Sequence, residues 1–211
     1  MGKNLIPKVK RISLGIFDMK ALYILMTAVF ILATSDTHKR KDLILWSDKN
    51  KLQWKDFKKN GGIESRSAGT CYTIKLEDKI TINGKIIVKI CAYFIKSESW
   101  KKKSTVGEYL LKHEQGHFDI AEIYARKIRK KLLSETNFQE VKVAEVKIRS
   151  SQLGLFRESS SYQDIYDKET DHSKNVEAQE RWNKKIEEEL VSLEAYSNPE
   201  ITLNIESEKK Y

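Results

Sequence analysis

From Asp42 to Ile95 apolar and polar residues alternate in short runs, whereas from Ser104 onwards the apolar positions return every three or four residues. The first rhythm belongs to strands and the second to helices. Leu43 to Trp46 and Leu52 to Phe57 are predicted strands, and Thr70, Tyr72, Ile74 and Leu76 share one face of a third. Asn83-Gly84 offers the two residues of a tight hairpin turn. After it, Ile86, Val88, Ile90, Ala92 and Phe94 mark one face of a long strand, and the simplest register sets Cys91 opposite Leu76. This half reads as an antiparallel sheet with one face packed.

Thr105-Val106-Gly107-Glu108 fits a capping box, so a long helix is predicted from about Val106 to Leu133. Val106, Leu110, His113, His117, Ile120, Tyr124 and Ile128 fall on one stripe of it, which points both histidines inward. A second amphipathic stretch covers Val141 to Leu153, a polar break follows at Glu158 to Ser161, and a third helix runs from about Asn175 to Tyr196, ended by Pro199. The last dozen residues read as a tail or an added strand. Strands first and helices later imply an α+β domain.

The amino terminus follows neither rhythm. A basic stretch leads into the uncharged run Ala21 to Ala33 and then into polar residues, the layout of an export signal. The run is short of the roughly 20 residues that span a bilayer. Residues 1–35 are therefore expected to be a cleaved signal, with Met19 as an alternative start, or an N-terminal anchor if uncleaved. Residues 36–197 form the domain, 198–211 the tail, and the location is periplasmic or extracellular. Without residues 1–35 the net charge of +9 falls to +5. The lysine runs lack interleaved aromatics, so they describe a solvated face and not a nucleic-acid site. In an oxidising compartment Cys71 and Cys91 either join or stay free; the sequence leaves both open.

The chemistry concentrates in His113-Glu114-Gln115-Gly116-His117. Side chains at i and i+4 of a helix lie one above the other, so two imidazoles can hold one Zn2+ while the intervening glutamate serves as general base. Gly116 would let a strand or a substrate approach. A catalytic zinc takes three protein ligands. His172 is the first candidate for the third. Asp167 is the second, either as ligand or as acceptor for an imidazole N–H, and Glu140, Glu145 and Glu169 are further carboxylates. Tyr162 and Tyr166 are candidates for steadying an oxyanion. Asp119 and Glu122 project off the histidine stripe, near Lys112, Arg126 and Arg129, and are expected in surface ion pairs. The competing expectation is a non-enzymatic envelope protein with a structural metal site, packed histidines or a basic binding surface.

The order L-x-W-x-D-F at Leu52 to Phe57, Ser99-Trp100, L-L-K-H-E-Q-G-H-F-D-I-A-E at Leu110 to Glu122, Y-D-x-x-T-x-H at Tyr166 to His172 and Gln179 to Trp182 resembles a bacterial family of secreted zinc-dependent proteases, otherwise catalogued as a domain of unknown function. The resemblance spans roughly Leu43 to Tyr196. It implies a zincin-like metallopeptidase acting on a peptide or protein, with His113 and His117 as ligands, Glu114 as base and His172 as third ligand. The family pattern sets a glycine after that last histidine, where this chain has Ser173.

Overall fold

A computed structural model describes residues 41–62, 66–103, 107–135 and 138–205. The predicted signal and the threonine of the predicted capping box lie outside them. The sheet is built on a hairpin of β4 (Tyr72–Ile82) and β5 (Lys85–Ile95), with β5 in the middle and β4 at one edge. Asn83 and Gly84 close it with φ of 48° and 69°, the double left-handed turn that matches strand twist. The short β1 (Leu43–Leu45) and β7 (Glu200–Asn204) pair antiparallel with opposite ends of β5. The carboxy-terminal segment is thus an added strand, with Ile201 and Leu203 buried. A second small sheet joins β2 (Lys59–Asn60), β6 (Trp100–Lys101) and β3 (Ala68–Gly69) in that order.

Two strand expectations need correction. The register slips at Glu77/Lys79, so Cys91 faces Lys75 and Leu76 faces Ile90; one extra residue on β4 displaces every partner beyond it. Leu52 to Phe57 is not a strand but a loop with a 3-10 turn at Trp54–Asp56, anchored by the buried Leu52 and Phe57 at its ends. Asp56 folds it by accepting from Gln53 N at 2.9 Å, and Gln115 Oε1 accepts from Leu52 N at 2.8 Å. Cys71 and Cys91 are both free thiols.

Three helices follow: α1 (Glu108–Ser134), α2 (Val141–Thr170) and α3 (Val176–Ser192). α1 lies between the sheet and the other two helices. Ile86, Val88, Ala92 and Phe94 of β5 and Ile120, Ile123 and Ile128 of α1 are all fully buried. This central place also corrects the reading of Glu122 as a surface group. Glu122 is buried and bonds buried Arg126 and Arg129, at 3.1 and 2.5 Å. Asp119 is half-buried: it accepts from the Trp46 indole at 2.7 Å and from Gln115 at 2.8 Å, and pairs with the exposed Lys51 at 3.7 Å. Burial raises both carboxyl pKa values, against the pull of their cationic partners.

The polar break expected at Glu158 to Ser161 is absent. Ser160 and Ser161 donate back to the carbonyls of Phe156 and Arg157, and Ser159 is buried against the Tyr72 hydroxyl. One helix runs through the serines for 30 residues, their hydroxyls being satisfied within it. That continuity carries Gln163, Tyr166 and Asp167 to the histidines of α1.

Candidate metal centre

His113 and His117 stand one turn apart on α1, and Asp167 meets them from α2. Asp167 Oδ1 lies 3.2 Å from His113 Nε2 and 3.1 Å from His117 Nε2. The ligand atoms of these three residues fall within 4.8 Å of one another and can hold a metal ion. Donor atoms about 2.0–2.1 Å from one tetrahedral ion stand roughly 3.3 Å apart, so the observed separations suit a shared cation.

The opposite ring nitrogens decide which lone pairs face inward. Gln163 Nε2 donates to the His117 carbonyl at 2.8 Å, which leaves its Oε1 to accept from His117 Nδ1. Gln179 Nε2 donates to Tyr166 Oη at 2.7 Å and to Asn183 at 3.0 Å, which leaves its Oε1 to accept from His113 Nδ1 at 2.8 Å. Each imidazole thus carries a proton on Nδ1 and turns Nε2 to the carboxylate, where it holds either a second proton or a lone pair for a cation. Facing lone pairs repel unless a proton or a cation lies among them. For His117, burial works against protonation, but its bond to Asp167 and the charges of Glu114 and Asp167 raise the pKa. For Asp167, burial opposes ionisation, and the bonds from His113 and His117 overcome it, holding the carboxyl well below its usual range.

Glu114 is buried and held by Thr70, whose hydroxyl reaches Oε2 at 2.7 Å. It lines a cleft of about 250 Å³ together with His113, His117, Asp167, His172 and Arg66. Arg66 Nη1 lies 3.2 Å from Asp167 Oδ2, the oxygen turned away from the imidazoles. A larger cleft of about 1080 Å³ follows another face of α1, between Trp46, Asp119 and Leu190, and contains neither histidine.

The other sequence candidates divide sharply. His172 reaches the cleft, with Nδ1 3.2 Å from Asp167 Oδ1, yet it stands beside the compact ligand group and not within it. Asp167, the second choice, is the third member of that group. Tyr166 is fully buried and stacks on His113 at 4.7 Å; its hydroxyl donates to the His113 carbonyl at 3.1 Å and accepts from Gln179. It braces the histidine and is not free to meet an oxyanion. Tyr162 lies outside the cleft, donating to Glu189 and packing on Tyr124 and Trp182. Gly116 admits Tyr166, since a Cβ there would stand 2.4 Å from the tyrosine hydroxyl. Glu145 pairs with Lys79, and Glu169 accepts from the Trp182 indole at 2.7 Å.

Gln163, Gln179 and Thr70 are the supporting residues that sequence reasoning passed over as chemistry. Gln179 belongs to a quoted motif, but a neutral amide signals nothing until its imidazole partner is known. No curated protein and no solved structure matches the chain. The family model described as a bacterial protein of unknown function, DUF922, matches residues 96–173, the stretch that carries His113, Glu114, His117, Asp167 and His172.

Proposed function

We propose that this protein is an exported zinc-dependent hydrolase that cleaves a peptide bond. The observation that carries the reading is the convergence of two Nε2 atoms, their rings oriented by Gln163 and Gln179, on one carboxylate oxygen of Asp167. Two imidazoles and one carboxylate form a donor set suited to zinc, leaving a fourth position for water or substrate. Bound there, zinc would act as a Lewis acid that acidifies water and polarises a carbonyl.

The protein's own residues supply the rest. Glu114, in the same cleft, takes the proton from the attacking water and delivers it to the leaving amine. Thr70 holds one oxygen of that carboxylate in place. Gln163 and Gln179 keep the imidazoles in the ligating tautomer, and Tyr166 fixes the His113 ring from its flat face. Peptide specificity follows the resemblance to secreted zinc-dependent proteases. Export follows the apolar run after the basic amino terminus.

Glu114→Gln tests the chemistry. The variant is expected to keep its metal and to lose peptidase activity about a thousandfold or more, measured on a library of fluorogenic peptides by the purified zinc-loaded protein. Wild-type turnover that survives in the variant would refute Glu114 as base.

A further inference from the structure

α2 ends in three consecutive left-handed residues that are not glycine: Asp171, His172 and Ser173, with φ of 46°, 51° and 72°. Residues with a Cβ ordinarily visit this region singly, because Cβ crowds the following carbonyl. The turn is held against that preference by main-chain bonds from His172 N to Asp167 O and from Asn175 N to Thr170 O, both 2.9 Å. It folds His172 back over Asp167 and into the cleft that Glu114 lines. Strain kept in this way calls for a reason at the site it shapes.

The imidazole itself supplies the second observation. Its Nδ1 lies 3.2 Å from Asp167 Oδ1 but is not aligned to bond it, and is buried with no hydrogen-bond partner. Buried polar atoms in native proteins are almost always paired, so an unpaired one beside a candidate ligand oxygen points to a partner that the protein does not provide. The ring keeps 28% of its side-chain surface open. His113, His117 and Asp167 already form the compact metal group without it. The two tyrosines in range by sequence are spent elsewhere: Tyr166 on His113 and Gln179, Tyr162 on Glu189. Arg66, the guanidinium of the cleft, is engaged by the far oxygen of Asp167.

We infer that His172 stays off the metal and donates a hydrogen bond to the substrate's carbonyl oxygen as negative charge gathers on it. The inference rests on the hydrolase reading above. Such a donor acts mainly in the transition state, so its loss lowers kcat more than it raises KM.

The test compares full-length wild-type protein with His172→Ala and His172→Asn; asparagine tolerates the left-handed turn and retains a donor. Metal per chain and the visible spectrum of the cobalt-substituted protein are read beside peptide kinetics. The expected result is wild-type metal content and an unchanged cobalt spectrum in both variants. kcat should fall about 100-fold or more in His172→Ala, with KM little altered and partial recovery in His172→Asn. Loss of metal or an altered cobalt spectrum in both variants would make His172 a ligand and overturn the inference, as would an unchanged kcat. A wild-type protein without metal or turnover would instead remove the hydrolase reading on which the inference stands.

Discussion

Gly116 and Tyr166 show how much of a metal site rests on residues that never touch the metal. Tyr166 is fully buried, with its ring on His113 and its hydroxyl between the His113 carbonyl and Gln179. It can approach only because position 116 has no side chain. Gly116→Ala should therefore destabilise the fold by about 1–3 kcal/mol, the ordinary cost of overpacking, despite the better helix propensity of alanine. It should also weaken metal binding by about tenfold or more, since the histidine loses its brace. Thermal denaturation and a metal titration of the same variant check both effects; a more stable protein with unchanged affinity would contradict the packing argument. The histidine pair is legible in sequence because one helix turn sets its geometry. Asp167 is legible only as one carboxylate among several, because its position depends on how a second helix runs.

That helix is where the element scale decides the outcome. Glu158 to Ser161 looks like a polar interruption, and a break there would cut Asp167 off from the amphipathic stretch that begins at Val141. Yet α2 stays continuous: Ser160 and Ser161 satisfy their hydroxyls on carbonyls of the preceding turn and Ser159 is buried, an arrangement that a count of polar residues does not reveal. The sheet and helix classes follow the two rhythms of the sequence, whereas the slip in β4 depends on pairing and leaves no mark on local pattern. The helices are further tied by Glu189 of α3, which accepts from Lys127 of α1 at 2.8 Å and from the Tyr162 hydroxyl of α2. Burial opposes ionisation of Glu189, but these two partners prevail and lower its pKa. A carboxyl lowered on folding stabilises the protein above its unfolded pKa of about 4.3, and that contribution is lost as pH falls through the lower folded value. Glu189→Gln should cost about 1 kcal/mol at pH 7 and progressively less towards pH 3, read from urea unfolding at a series of pH values. A penalty that did not shrink on acidification would contradict the account.

For the whole molecule, the consequence is that α1 serves two roles at once. One side completes the core against β5, and the other presents His113 and His117 to α2. Three of its charged groups, Glu122, Arg126 and Arg129, are buried: Glu122 accepts from both arginines within the helix, Arg126 also reaches Glu194 and Arg129 the Ile90 carbonyl of β5, which is why the reading of Glu122 as a surface ion pair misplaces it. A metal held between α1 and α2 would clasp the two helices, so binding and folding should be linked: at a metal concentration a thousand times Kd, the gain is about 4 kcal/mol. The most direct measurement is the metal content of the full-length protein, purified without chelator, beside Asp167→Ala. The account predicts close to one zinc per chain in the wild type and a loss in Asp167→Ala, with lowered thermal stability when chelator is added to the wild type. Wild-type protein that carries no zinc and takes none up on titration, or Asp167→Ala that retains it with undiminished affinity, would contradict it.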